Sequence, residues 1–131
     1  MNGRYITNRR EAREYLEQLR YPERGKLVDN YARIKPKGRD IVLEMGGKDI
    51  VIYRPNGMIV VNTHGSYSAA TIFRINRHTP DWFQLIQFPY EKDQWHVKTP
   101  SGVFLFNDGI MLDVGEKRLF HLERKENINE L

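Results

Sequence analysis

The sequence predicts an α+β domain: an antiparallel β-meander of about seven or eight strands, with an N-terminal amphipathic helix and one central helix. Three observations predict it. From residue 40 onward, short runs rich in Ile, Val, Leu and Phe alternate with turn clusters of Gly, Pro, Asn and Asp. Only two stretches, 9–20 and 66–78, carry a helical period. The chain has 131 residues, 40% of them hydrophobic, enough for one core without metal or disulfide.

The first helix spans residues 9–20. Ala12, Tyr15, Leu16 and Leu19 recur at the spacing of one helical face. Asn8 is a suitable N-cap, Glu11 three residues later resembles a capping box, and Tyr21-Pro22 ends the helix. Residues 22–39 predict a loop with one extended piece near Tyr31–Lys35. The meander then begins. Strands Asp40–Met45, Lys48–Arg54 and Met58–Thr63 are separated by Gly46-Gly47 and Pro55-Asn56-Gly57, whose residues accept the positive φ of tight hairpins. The nearly continuous apolar runs of these strands suggest a sheet covered on both faces.

The second helix is expected over Ser66–His78, capped by Ser66 or Ser68, with Ala69, Ile72, Phe73 and Asn76 on one face and Ile75 beside them. Thr79-Pro80-Asp81 stops it. Strands follow at Trp82–Phe88, Gln94–Thr99, Gly102–Phe106, Ile110–Asp113 and Arg118–Leu122, with Asn107-Asp108-Gly109 as a hairpin turn. Residues 123–131 form a charged tail. The whole reads as one domain, 1–131: a basic helix and linker over 1–39, a strand-rich core over 40–122, then the tail.

Cys is absent, which excludes disulfides, thiolate metal sites and a cysteine nucleophile. No apolar run approaches the length of a membrane helix, and Met1-Asn2-Gly3-Arg4-Tyr5 does not open a secretory leader, so a cytoplasmic location is expected. Net charge is +4, but it is unevenly spread. Residues 1–39 hold 11 Lys/Arg against 5 Asp/Glu; the remainder holds 10 against 12. A basic segment of this kind is drawn to phosphate or to an acidic protein face, and it also solubilises an exposed helix.

The four His residues show no metal-ligand spacing, and no nucleophile elbow or Gly-rich phosphate loop is present. No catalytic residue, metal or cofactor is assigned. The best anion candidate is the strand-to-helix junction Thr63-His64-Gly65-Ser66-Tyr67-Ser68, with Arg74 and Arg77 one and two turns on. Such a junction is also an ordinary structural corner. Anion or nucleic-acid binding candidates are therefore Arg9, Arg10, Arg13, Lys35, Lys37 and Arg39 in the basic segment, and His64, Arg74 and Arg77 at the junction. Most aromatics fall in strand patterns and belong to the core, leaving Tyr67 and Tyr90 as expected exposed rings.

Asp49-Ile50-Val51, Asn62-Thr63, Gly65, Ser68, Thr71, Arg74-Ile75-Asn76 and Asp108-Gly109-Ile110 together form a recognisable pattern. On these residues the chain resembles a group of small, functionally uncharacterised proteins of tailed bacteriophages. That group shares an acidic residue before two apolar ones, then an Asn-Ser/Thr-Gly-Gly-Trp-x-Thr-x-Thr-Thr stretch leading to Arg-Ile-Asn, then Asp-Gly-Met/Ile. His64, Ser66 and Ala70 depart from it at a Gly, the aromatic and a Thr. The resemblance implies a phage origin and residence in the bacterial cytoplasm, and carries no activity. Three functions are consistent with the sequence. The first is a non-catalytic phage accessory protein that binds a host protein complex and inhibits defence or host machinery. The second is a nucleic-acid-binding module using the basic N-terminal region. The third is a small nucleotide-binding protein or enzyme with its site at residues 63–77.

Overall fold

The computed structural model describes residues 5–90 and 94–120. The predicted tail, the end of the last strand and most of the turn at 90–93 lie outside the described residues. The expected α+β class holds, with two helices and ten strands in two antiparallel sheets among the described residues.

Helix α1 (Arg9–Glu17) starts at Asn8, whose Oδ1 accepts the Glu11 N–H at 2.9 Å. The Glu11 carboxylate reaches back to Thr7, taking its N–H at 2.9 Å and its hydroxyl at 3.1 Å. The reciprocal bond thus falls one residue ahead of a standard capping box. Ala12 and Leu16 are buried, with Tyr15 and Leu19 packed beside them, as the periodicity predicts. The helix stops short of the predicted Arg20, and a 3₁₀ turn over Pro22–Arg24 leads into strand β1 (Lys26–Leu27). Gly25 between them has φ +66, and a Cβ there would sit 2.2 Å from the Ile34 carbonyl oxygen, so only glycine fits.

Strands β2 (Ala32–Lys37), β3 (Asp40–Met45), β4 (Lys48–Tyr53) and β5 (Met58–Val61) continue the meander. The chain then leaves the sheet through helix α2 (Ala69–Arg77) and a second, three-stranded sheet of β6 (Gln84–Ile86), β7 (His96–Thr99) and β8 (Gly102–Leu105). It returns as β9 (Ile110–Asp113), paired with β5, and ends with β10 (Arg118–Leu119) on the far edge. The large sheet therefore runs β1-β2-β3-β4-β5-β9-β10. Asn107-Asp108-Gly109 is not a hairpin turn: β8 and β9 belong to different sheets, and the turn carries the chain from one to the other. The basic segment is likewise more than a helix and linker, because β1 and β2 are strands of the large sheet.

Cross-strand registers lay two apolar rows on the inner face of the large sheet. One is Ile34, Leu43, Val51, Val61 and Ile110; the other is Ile41, Tyr53, Ile59, Leu112 and Leu119. A register shift between Leu43 and Glu44 brings Ile50 into the core beside Val51. Leu85, Val97 and Phe104 of the small sheet, with Phe83 and Phe106, join the same core. From α2 come Ile72 and Ile75, with Thr71 also buried. The expected stripe on α2 is thus corrected: Ala69 is exposed and Phe73 is 54% exposed, the buried face lying one step round the helix. On the outer face of the large sheet, Val42, Ile52, Val60 and Met111 form a row beside Lys35. Val42 and Val60 are buried even there.

One buried polar network joins three remote segments. The Tyr53 hydroxyl donates to the His78 carbonyl oxygen at 2.6 Å, and His78 Nδ1 lies 3.0 Å from the Ile6 carbonyl oxygen. Since a carbonyl only accepts, Nδ1 carries the proton. Burial pushes the Tyr53 hydroxyl far above its ordinary pKa, so it stays a donor. Tyr53→Phe is expected to leave the His78 carbonyl unsatisfied in the core and to destabilise by about 1–2 kcal/mol, read from the urea midpoint at unchanged slope.

Burial also lowers the His78 pKa, helped by Arg77 and Arg74 and opposed by the Ile6 hydrogen bond and by Asp29. The unfolded chain then binds a proton at higher pH than the folded one. Stability contributed by the neutral imidazole is complete above the ordinary value of 6.5 and is lost as pH falls toward the folded value. Urea midpoints taken between pH 7.5 and 5 should decline below about pH 6.5, and His78→Gln should flatten that decline. An equal decline in the variant refutes the assignment.

Candidate functional site

Two places in the fold carry the predicted polar residues: the corner where β5 gives way to α2, and the opposite end of the large sheet, where α1 begins.

The corner is built from residues 62–71. Asn62 continues the ladder, donating its N–H to the Ile50 carbonyl, while its Oδ1 accepts the His64 N–H at 2.8 Å in an Asx turn. His64 and Gly65 both take positive φ, 54° and 78°. Thr63 is buried, and the Asp108 carboxylate is folded onto it. Asp108 accepts the Thr63 N–H at 2.6 Å, the Thr63 hydroxyl at 2.8 and 2.9 Å, and the Gly65 N–H at 3.2 Å. The Ser66 N–H goes to the Thr63 carbonyl. The N-cap of α2 is Ser68, whose Oγ accepts the Thr71 N–H at 3.2 Å. The place an external anion would take at this turn is held by a carboxylate of the chain itself.

The three junction candidates point to different partners. His64 Nε2 lies 2.8 Å from the Asp49 carbonyl oxygen. Arg74 grips Asp29 through Nε at 2.9 Å and Nη2 at 3.3 Å, donates from Nη1 to the Ala70 carbonyl, and lies over the Tyr31 ring. Burial alone would raise the Asp29 carboxyl, but the Tyr31 amide, Arg74 and the Ala32 amide outweigh it and hold it below the usual carboxylate range. Arg77 sits between two rings, 4.1 Å from the Tyr5 centroid and 4.4 Å from that of Phe73, and its guanidinium also bonds the Tyr5 hydroxyl. A cleft of about 470 Å³ lies beside the corner, lined by Asn30, Tyr31, Lys48, Thr63, Ser66 and Thr71 among others. His64, Arg74 and Arg77 are not among its walls. His96 lies on β7 with its ring against Phe88. Among the described residues no three His, Asp or Glu side chains group as a metal site.

The basic-segment candidates also divide. Lys35 pairs with Glu44 at 2.6 Å and Lys37 with Asp49, both on the outer face of the sheet. Arg9, Arg13 and Arg39 instead converge on one groove of about 430 Å³, walled by Leu16, Pro22, Pro36, Ile41 and Pro55 with Glu17 and Asp40. Arg9 and Arg10 line an adjoining groove of about 240 Å³ with Arg54, Met58 and Ile59. Arg9 Nη2 donates to the Arg39 carbonyl at 3.2 Å, and Arg13 meets Glu17 at 3.6 Å on the exposed helix face. Arg54 is a residue the sequence reading missed, and Asp108 figures there only as a turn residue and as part of the Asp108-Gly109-Ile110 match. Arg54 had a signal: in a meander, alternate turns share an end, so Arg39 beside the β2–β3 turn and Arg54 before the β4–β5 turn meet. Exposed rings are also more numerous than the expected Tyr67 and Tyr90, with Tyr5, Tyr21, Tyr31, Phe73 and Phe88 added.

No known protein family, curated protein or solved structure matches the chain.

The corner makes a direct prediction. Asp108→Ala frees three donors, two of them on the buried Thr63, and is expected to destabilise by about 1–3 kcal/mol in urea unfolding. Asp108→Asn keeps one acceptor oxygen and should lose less. Equal losses in the two variants would show that the carboxylate's hydrogen bonds are not what matters there.

Proposed function

We propose that the chain is a non-catalytic accessory protein of a tailed bacteriophage, acting in the bacterial cytoplasm, that binds an acidic surface of a host protein complex and thereby inhibits defence or host machinery. The observation that carries the reading is the convergence of Arg9, Arg10, Arg13, Arg39 and Arg54 on two adjoining grooves at one end of the sheet. Between these arginines the walls include Leu16, Pro22, Pro36, Ile41, Pro55, Met58 and Ile59, with Glu17 and Asp40 also present. A largely apolar lining in which arginines act as anchors suits a protein-docking surface. Among the described residues no aromatic ring lines either groove, so these residues offer no base-stacking platform there. The polar groups of the β5–α2 corner are engaged by partners within the chain, which speaks for a structural rather than a catalytic role. The phage origin rests on the resemblance of residues 40–112. No helix among the described residues is long and apolar enough to cross a membrane.

The test is affinity capture from bacterial lysate with the wild-type chain and with a variant combining Arg9→Glu, Arg13→Glu and Arg39→Glu. A specific host complex should be retained by the former and lost by the latter, with equal unfolding midpoints. Retention of the same partners by both refutes the reading.

The same arginines also support a second reading, contact with a nucleic-acid backbone. If five phosphates are neutralised, affinity for duplex DNA should fall roughly 10²–10³-fold between 50 and 200 mM salt. Absence of DNA and RNA retention at low salt removes it.

A further inference from the structure

Sheet edges are templates for association, and folded proteins close them. The two sheets have four. The β1 edge is two residues long, carries Lys26, and has its Leu27 carbonyl bonded by the Tyr15 hydroxyl. The β10 edge is equally short and carries Arg118. The β6 edge is closed by a side chain: the Asn76 carboxamide accepts the Leu85 N–H at 2.8 Å and donates to the Leu85 carbonyl at 3.0 Å, taking the place of a neighbouring strand. The fourth edge, β8, has no strand beyond it among the described residues.

Strand β8 also lacks the usual deterrents. From Thr99 to Asn107 the chain carries no charge. Phe106 donates its N–H to the Trp95 carbonyl, and Gly102 closes the β7–β8 hairpin opposite Thr99. Hydrogen-bonded pairs alternate along an antiparallel ladder, so Gly102, Phe104 and Phe106 face β7 while the N–H and C=O groups of Val103 and Leu105 face outward. The side chains of those same two residues are 48% and 44% exposed.

We propose that β8 pairs with β8 of a second copy of this chain, antiparallel about a two-fold axis at Phe104, joining two three-stranded sheets into one of six strands. A second copy is the occupant because the strand is complementary to itself. With Phe104 opposite Phe104 of the other copy, Val103 stands opposite Leu105 and Leu105 opposite Val103. All four outward donors and acceptors of each strand are then in register, and every cross-strand side-chain pair is apolar. The outer-face row continues as Ile86, His96, Leu105, then Val103 and Lys98 of the second copy, so no like charges are opposed. The pairing is isologous and closes at two. A single short edge gives a weak dimer, expected to form at micromolar concentrations and above.

Sedimentation velocity on the full chain over about 1–300 µM should show the mass rising from 15.6 kDa toward twice that value. Leu105→Lys, which gives β8 the charged edge that β1 and β10 already have, should remain monomeric throughout. In wild-type protein, hydrogen exchange at the Val103 and Leu105 amides should slow at the higher concentration, while Phe104 and Phe106, bonded to β7, should not change. A monomer at every concentration, a dimer undiminished by Leu105→Lys, or concentration-independent exchange at Val103 and Leu105 would each overturn the proposal.

Discussion

The Asp108 carboxylate closed onto Thr63 and Gly65 is the contact on which the rest of the architecture depends. The chain leaves the large sheet after Val61 and rejoins it at Ile110, and between these points it builds α2 and the whole small sheet. Exit and return are adjacent, because β5 and β9 are paired strands, and the Gly109 N–H reaches the Val61 carbonyl at 2.9 Å. Asp108 binds the first turn of the exit to the last turn of the return, so an insertion of two helical and strand layers begins and ends at one point. The cost of closing so long a loop grows only slowly with its length, and a few strong charge-assisted bonds at its neck are an economical way to hold it.

The insertion is then folded down onto the sheet by three consecutive residues of α2. Arg74 reaches back to Asp29 in the β1–β2 loop, Ile75 is fully buried in the shared core, and Asn76 completes the edge of β6. Each points in a different direction, as residues about 100° apart on a helix must. The polar residues of the pattern that runs from Asn62 to Ile110 therefore bond to other parts of the chain: Asn62 to the His64 amide, Thr63 to Asp108, Thr71 to Ser68, Arg74 to Asp29 and Asn76 to Leu85. A set of side chains spaced this way needs no ligand to account for it, since buried polar groups require partners in any fold.

The parts of the fold that were legible in the sequence are those whose signals are local. Gly46-Gly47 and Pro55-Asn56-Gly57 mark hairpins that form where expected, and Asn8 caps α1 as its position suggests. Strand β2 is legible only as the extended piece near Tyr31–Lys35, and its membership of the sheet is not, because its outward residues are Arg33, Lys35 and Lys37 and its line is interrupted by Pro36, so only Ala32 and Ile34 speak for burial. The face of α2 was misread because size was taken for burial: the small hydroxyl of Thr71 is buried through its bond to Ser68, while the large ring of Phe73 stays outside on the Arg77 guanidinium. The segment Asn107-Asp108-Gly109 has hairpin chemistry, and nothing in its neighbours tells a hairpin from a crossing between sheets. That choice is made by a carboxylate contact with a residue 45 positions away. At the candidate site, the arginines of α1 were visible as charge, but their meeting with Arg54 depends on which turns of the meander share an end.

The two ends of the large sheet differ in how their charges are spent. At the β5–α2 end, Arg74 pairs with Asp29, and Asp29 and Asp108 accept from nearby amides. At the α1 end, Arg9 and Arg10 stand in the first turn of a helix, where unpaired N–H groups already carry partial positive charge and cations are disfavoured. Glu11 is the acidic residue of that turn, and its carboxylate is turned to Thr7. Arg39 and Arg54 add further cations to the same end, lining the same two grooves as Arg9. Self-repulsion of this kind weakens the helix start and contributes nothing to the core. An arrangement unfavourable to the isolated fold becomes favourable once an anionic surface neutralises it, which is the physical reason to seek the working surface at this end of the sheet and not at the self-satisfied corner.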